Sequence, residues 1–248
     1  MSITHDANVI IYKDIENLSQ AAAEMFAEIA NRAVEEEKQL LVALSGGSTP
    51  NKLFQLLSRP PFAQSITWNR IHFFWCDERL VPPNHPESNF GRAFKLLFTQ
   101  VRIPGENLHR IPGELVSTKA VDEYKRVLGS FGDGKGRWPR FDLVFLGLGA
   151  DGHTASLFPG VITPEETGSP VLAVTADYQG RPAERITLTP LVFNRARRVI
   201  FMVSGKDKAH AVHMTLNSPP DPDQCPAQRI QPVKGKVIWM LDDDAATG

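Results

Sequence analysis

The chain has 248 residues, 42% hydrophobic and 22% charged, with a formal net charge of -1. These are the proportions of a soluble globular protein with a sizeable core. The charge balance argues against general nucleic-acid binding, which needs clustered Lys and Arg to neutralise phosphates. The longest strongly apolar runs, such as "FDLVFLGLGA", fall well short of the about 20 residues that span a bilayer, so no membrane association is expected.

The N-terminal "MSITHDANVI" lacks a basic region followed by an apolar segment, so no signal peptide is read there. Strand-like runs then alternate with helical patterns. "NVIIY" precedes an amphipathic segment in which Leu18, Ala22, Met25, Ile29 and Ala33 recur at helical spacing. "LLVALS" leads into a helix after "STP" (Leu53, Leu56, Leu57). "RIHFFW" is followed, after "ESN", by a helix carrying Phe90, Phe94 and Leu97. A helix after "STK" (Val121, Tyr124, Leu128) precedes "FDLVFLGL". The runs "VLAVTA", "RITLT" and "RVIFMVSG" come next, then a helix with Ala209, Val212 and Leu216, and finally "KVIWMLD".

"LLVALS" and "FDLVFLGL" are apolar at nearly every position, as strands buried on both faces must be. The alternation predicts one α/β domain over residues 1–248, with a Rossmann-like, doubly wound, mostly parallel sheet flanked by helices on both faces. The Gly- and Pro-rich segments 131–139 and 217–226 read as surface loops rather than linkers. In such folds ligands gather beyond strand C-termini, where strand order switches.

Four strand ends carry polar chemistry. In "ALSGGSTP" a buried strand ends at Ser45, Gly46 and Gly47 turn the chain, and Pro50 lies in the first turn of a helix. Ser48 or Thr49 is suited to cap that helix. Unpaired N–H groups and hydroxyls at such a start favour an anion, although the Walker spacing is absent. In "WCDERLVPP", Asp77, Glu78 and Arg79 directly follow a buried strand, and a proline-rich loop comes after them.

The third strand end is "GLGADGHTASLFPG". Gly147, Gly149 and Gly152 match G-x-G-x-x-G, but Pro159-Gly160 leaves no room for the long helix a dinucleotide site needs. Asp151 and His153, two residues apart, suit a carboxylate that fixes an imidazole tautomer and raises its basicity. In "VSGKDKA", Lys206 follows Ser204-Gly205 in the first turn of a helix, and Arg185 stands just before "ITLTP".

The other ionisable groups have plainer readings. His210 and His213 have no third metal ligand at the right spacing. His5, His72, His85 and His109 have no evident partner, and "LDDDAATG" reads as a solvated acidic tail. Two cysteines, Cys76 and Cys225, with no CxxC spacing, read as reduced, packed thiols in a cytoplasmic protein. No Ser-His-Asp order, nucleophile elbow or reactive-Cys context supports covalent catalysis. The residues therefore describe a pocket for a small phosphorylated metabolite, with a histidine placed for proton transfer and no cofactor or metal.

"ALSGGSTP", "WCDERLVPP" with "ESNFG", "GLGADGHTASLFPG", "ERITLTP", "VSGKDKA" and "CPAQRI" resemble, in that order, the signature segments of 6-phosphogluconolactonases. The resemblance runs from about residue 8 to residue 241 and implies the fold shared with glucosamine-6-phosphate deaminases and ribose-5-phosphate isomerases. It implies hydrolysis of a phosphorylated sugar lactone, 6-phospho-D-glucono-1,5-lactone, to 6-phosphogluconate, in the oxidative pentose phosphate pathway. By resemblance, His153 activates water and Asp151 orients it, while Ser45, Gly46, Gly47, Ser48 and Thr49 hold phosphate with Lys206. Arg79 and Arg185 grip phosphate or polarise the carbonyl, in either assignment. Asp77 matches the proton-transfer base of the related deaminases and is expected here to position a sugar hydroxyl.

Two rivals remain. A glucosamine-6-phosphate deaminase/isomerase would resemble D-G-H-I-A-F-N-E-P, but Phe158 stands where that pattern has glutamate, and "DER" replaces a deaminase-like "DEY". A non-catalytic sugar-phosphate sensor would carry a DNA-binding segment, and no basic helix-turn-helix precedes the first core strand. A monomer or weak homodimer is expected.

Overall fold

The computed structural model describes residues 8–132, 134 and 138–247. His5 and part of the 131–139 loop lie outside the described residues.

Strands and helices alternate as the periodicity predicts. β1 (Asn8–Tyr12) leads to α1 (Ile15–Glu35), β2 (Leu40–Leu44), α2 (Ser48–Leu57), α3 (Phe62–Ser65) and β3 (Ile71–Trp75). β4 (Asp77–Arg79) precedes α4 (Asn89–Ala93), which runs on into a π-helical turn over Phe94–Phe98. β5 (Leu108–His109), α5 (Ser117–Ser130) and β6 (Leu143–Leu146) follow, then α6 (Pro164–Gly168), β7 (Val171–Thr175) and β8 (Glu184–Leu188). α7 (Pro190–Phe193), β9 (Arg198–Val203), α8 (Ala209–Leu216) and β10 (Lys236–Asp242) complete the order.

Seven strands form one sheet in the order β1-β10-β9-β6-β2-β3-β5, and every pairing in it is parallel. Its inner strands read as apolar runs because helices cover the sheet. Phe73, Phe74, Val144, Phe145, Ile200 and Phe201 are at most 1% exposed. α1 turns Leu18, Ala22, Phe26 and Ala30 inward, and Asp14 caps it by accepting from the Asn17 N–H at 2.8 Å.

"VLAVTA" and "RITLT" do not join this sheet. They form β7 and β8 of a separate antiparallel sheet, ordered β4-β8-β7, whose third strand is the charged triplet Asp77–Arg79. The triplet reads as a loop because its residues are charged, yet all three are buried. β4 follows β3 after one residue, and Leu188 N–H donates to the Cys76 carbonyl at 2.7 Å, so the small sheet leans on the large one.

Chain order reverses direction around β2, which has β3 on one side and β6 on the other. The registers Leu44↔Trp75, Ala43↔Val144 and Leu146↔Phe201 bring the ends of β2, β3, β6 and β9 nearly level. Their following loops therefore open onto one edge, where the strand order switches.

Candidate active site

A cavity of about 170 Å³ lies at that edge. The β2–α2 turn forms one wall. Gly47, with φ of +112°, is the N-cap of α2, and no side chain caps the helix. Neither Ser48 nor Thr49 caps as expected, because both lie inside the first turn. Their hydroxyls and the first N–H groups of α2 are left to face the cleft, with Ser45, Gly46 and Gly47 beside them. A Cβ at Gly46 would lie 1.8 Å from the Asn89 Oδ1, so any larger residue there would have to displace the buried Asn89 side chain.

The loop after β6 carries His153. Gly149 N–H donates to the His153 carbonyl at 2.8 Å and Gly152 N–H to the Gly149 carbonyl at 3.0 Å, closing a tight turn. Gly152, at φ +84°, takes a conformation that suits glycine. The turn places Asp151 Oδ1 2.6 Å from His153 Nδ1 and 3.2 Å from the His153 N–H. Burial pushes the Asp151 carboxyl up, but the hydrogen bond and charge of His153 outweigh this and hold it below its ordinary value. An ionised Asp151 has no proton to give, so it accepts a hydrogen bond from Nδ1–H and leaves Nε2 with the lone pair. Phe158 stacks on the imidazole at 4.6 Å and Tyr178 meets it edge-on at 4.7 Å, fixing the ring.

The small sheet supplies the cations. Antiparallel pairing sets Arg79 directly opposite Arg185, and both side chains line the cavity. Arg79 Nη1 donates to the Glu87 carbonyl at 2.7 Å and to Glu87 Oε2 at 3.1 Å, which fixes its direction. Arg185 is 2% exposed, its Nε and Nη2 have no partner among the described residues, and burial lowers its pKa. Its guanidinium lies 5.3 Å from the Phe158 ring centre.

Asp77 is held at both oxygens. Ser156 Oγ donates to Oδ2 at 2.7 Å and Asn89 Nδ2 to Oδ1 at 3.2 Å. Glu78 turns away from the cleft. It accepts from the N–H groups of Arg79, Asn89 and Phe90 and from the Ser88 hydroxyl, anchoring α4, although burial pushes it up to about 7.

Most of the sequence-derived candidates meet in one cleft. Asp151 sits behind His153, and Lys206 lies outside the cavity lining. Lys206 opens a short 3-10 turn, Lys206–Lys208, and is exposed. That turn brings Lys208 to the cavity instead, because a residue two positions on faces another way. Sequence reasoning also passed over Asn89, Tyr178 and Arg181, which line the same space. The "ESNFG" segment signalled Asn89, whereas nothing in the β7–β8 loop distinguishes Tyr178 or Arg181 from ordinary surface residues.

Three plainer readings change. His72 Nδ1 and His109 Nε2 are 2.9 Å apart, so these histidines partner one another across β3 and β5. His85 Nδ1 accepts from the Glu87 N–H at 3.1 Å. Asp242 is not a solvated tail residue. It is 5% exposed and accepts from the Ser204 hydroxyl, from Gly205 N–H at 3.0 Å and from Ala245 N–H at 2.8 Å, shaping the turn before Lys206. Cys76 and Cys225 are both free and buried, as expected. No group of three or more His, Cys, Asp or Glu among the described residues is placed to hold a metal.

A parallel sheet with the Asp151–His153 pair and the cations Arg79, Arg185 and Lys208 at its switch point defines an α/β protein of the doubly wound class. The chain belongs to the glucosamine-6-phosphate isomerase/6-phosphogluconolactonase family, whose profile matches residues 13–239. It is 40% identical over 240 residues to a 6-phosphogluconolactonase of Synechocystis sp., covering 96% of this chain and 95% of that one. It is 38% identical over 205 residues to the Haemophilus influenzae 6-phosphogluconolactonase, covering 82% and 85%. The solved 6-phosphogluconolactonase of Thermotoga maritima superposes with a TM-score of 0.81 at 30% identity, over 96% of this chain and all of that one. A monomeric glucosamine-6-phosphate deaminase shares the fold, with a TM-score of 0.82 at 23% identity over 97% and 99% of the chains.

Proposed function

We propose that this chain hydrolyses 6-phospho-D-glucono-1,5-lactone to 6-phosphogluconate. The reading rests on the Asp151–His153 dyad, 2.6 Å apart, facing a cleft ringed by Arg79, Arg185 and Lys208. His153 Nε2 takes a proton from water as its oxygen bonds to the lactone carbonyl carbon. The imidazolium then gives that proton to the ring oxygen as the carbon–oxygen bond breaks, and the new carboxylic acid ionises at neutral pH. Such proton transfer contributes about 10²–10⁴-fold.

Arg79, aimed by Glu87, stabilises charge on the carbonyl oxygen in the transition state. Arg185 keeps free donors for a bidentate grip on phosphate. Lys208, Ser48, Thr49 and the N-terminus of α2 complete the phosphate subsite, with Lys208 in the part first given to Lys206. Asp77, fixed by Ser156 and Asn89, holds a sugar hydroxyl.

No organic cofactor or metal enters this scheme. No described helix is long and apolar enough to cross a membrane. The reading takes the protein as a single cytoplasmic domain, monomeric or weakly dimeric, and its two buried free thiols suit a reducing compartment.

The test is a lactonase assay on fresh substrate, corrected for spontaneous hydrolysis, comparing wild type with His153→Ala. Loss of turnover with phosphate-ligand binding retained is expected. An active variant removes His153 from the mechanism, and ammonia release from glucosamine-6-phosphate without lactone hydrolysis replaces the reading with the deaminase. Phe158, stacked on His153 where the deaminase pattern has an acid, argues against that outcome.

A further inference from the structure

"CPAQRI" has no part in the cleft, yet it contains a buried cation. Arg229 is 8% exposed, and its Nη1 donates to Glu166 Oε1 at 3.0 Å and Oε2 at 2.8 Å. Glu166, 6% exposed, sits in α6, beyond the loop that carries His153. The remaining donors of Arg229 reach backbone. Nη2 donates to the Gly160 carbonyl at 2.6 Å and Nε to the Pro222 carbonyl at 2.8 Å.

The same segment, with Asp223 just before it, holds the His153 loop at both ends. Ala227 N–H donates to the Gly152 carbonyl at 3.1 Å, next to His153. Gly160 N–H donates to the Asp223 carbonyl at 2.7 Å. Cys225 packs so closely on Gly152 that a Cβ there would lie 3.0 Å from its Sγ. The His153 loop thus runs from Gly152 to Gly160 between two anchors. Arg229 ties the second anchor to Pro222 and to the only carboxylate that neutralises it among the described residues.

We infer that Arg229, through its ion pair with Glu166 and its bond to the Gly160 carbonyl, is a positioning residue that holds His153 against Asp151. A guanidinium is suited to this because its planar fork serves one carboxylate and two carbonyls at once, which an ammonium cannot do with the same geometry. A shift of about 1 Å in a catalytic base costs on the order of 10²-fold in rate. Neither Arg229 nor Glu166 lines the cavity, so the effect of the pair is expected on turnover rather than on phosphate binding.

This inference rests on His153 being the base, so the experiment includes a readout that needs no substrate. Arg229→Met, Arg229→Lys and Glu166→Gln are compared at a temperature where circular dichroism shows each folded. In Arg229→Met, kcat is expected to fall 10-fold or more, with KM and the inhibition constant for inorganic phosphate within 3-fold. Arg229→Lys should recover part of the loss. Nitrogen-15 NMR of the His153 ring should show the Nδ1–H tautomer in wild type and a mixture of tautomers in Arg229→Met. Unchanged kcat and an unchanged tautomer in the folded variants would overturn the inference, leaving the pair a purely stabilising contact. If Arg229→Met does not fold, Glu166→Gln and Arg229→Lys decide by the same two readouts. A wild type with no lactonase activity but a loosened tautomer in the variants would sink the proposed reaction and leave the positioning intact.

Discussion

Arg79 and Arg185 stand directly opposite one another in the antiparallel register of β4 and β8. Like charges at such positions destabilise a sheet, and Arg185 is buried with two donors unpartnered among the described residues. Replacing it with an apolar residue of similar length relieves that load. Arg185→Met is therefore expected to melt no lower than wild type while its KM rises at least 10-fold. Arg79→Met, by contrast, is expected to depress kcat more than it raises KM, since Glu87 pre-aims that group. Thermal melts with steady-state kinetics check both. A clear fall in Tm for Arg185→Met would show that Arg185 is structurally compensated.

Gly149 admits no side chain. A Cβ there would lie 2.0 Å from the His153 Nδ1 and 2.5 Å from Asp151 Oδ1, so both side chains would have to move. Gly149→Ala should lower kcat about 10²-fold or more, with phosphate inhibition unchanged. Gly147→Ala is the control, because its Cβ meets nothing within 4 Å.

Lys208 lines the cavity and Lys206 does not. Losing a charge-assisted contact of about 1.5–3 kcal/mol corresponds to roughly 10–100-fold in affinity. Lys208→Ala should raise KM within that range, whereas Lys206→Ala should leave it within about 2-fold. Equal effects would return the phosphate role to both lysines.

The paired histidines make stability depend on pH. Burial, and then the neighbouring charge of His72, lower His109 to about 4, against about 6.5 in an unfolded chain. Above pH 6.5 neither state carries the proton. Between about 6.5 and 4 the unfolded chain binds it and the folded protein does not, so stability falls as pH falls. Discounted for its half-exposed ring, the loss is about 1–2 kcal/mol. His109→Gln, which keeps a polar contact to His72 but does not titrate, should lose less Tm between pH 7 and pH 4.5. Parallel Tm curves for the two proteins would contradict this.

The helices and the parallel core were legible because burial leaves period-3.6 and all-apolar patterns, as in Leu18–Ala22–Met25 and "LLVALS". The Asp151–His153 contact was legible because the two residues are sequence neighbours. What escaped depends on through-space pairing. β4 hides in a charged triplet whose partner, β8, lies about a hundred residues on. Lys208 replaces Lys206 because a 3-10 turn sets the facing residue. Gly47 caps α2 by backbone conformation alone, and His72 meets His109 only once β3 and β5 are aligned.

His153 follows β6 of the parallel sheet, while Arg79, Arg185 and Asp77 belong to the antiparallel one. The two sheets are joined at Cys76, the single residue between β3 and β4, whose carbonyl accepts from Leu188 N–H at 2.7 Å and whose N–H donates to the Leu44 carbonyl at 2.8 Å. Side-chain contacts, Phe158 with Arg185 and Ser156 with Asp77 among them, add to that join. Substitution of Ser156 or Phe158 is therefore expected to move His153 relative to Asp77 and Arg185 while the backbone at Cys76 keeps the two sheets together.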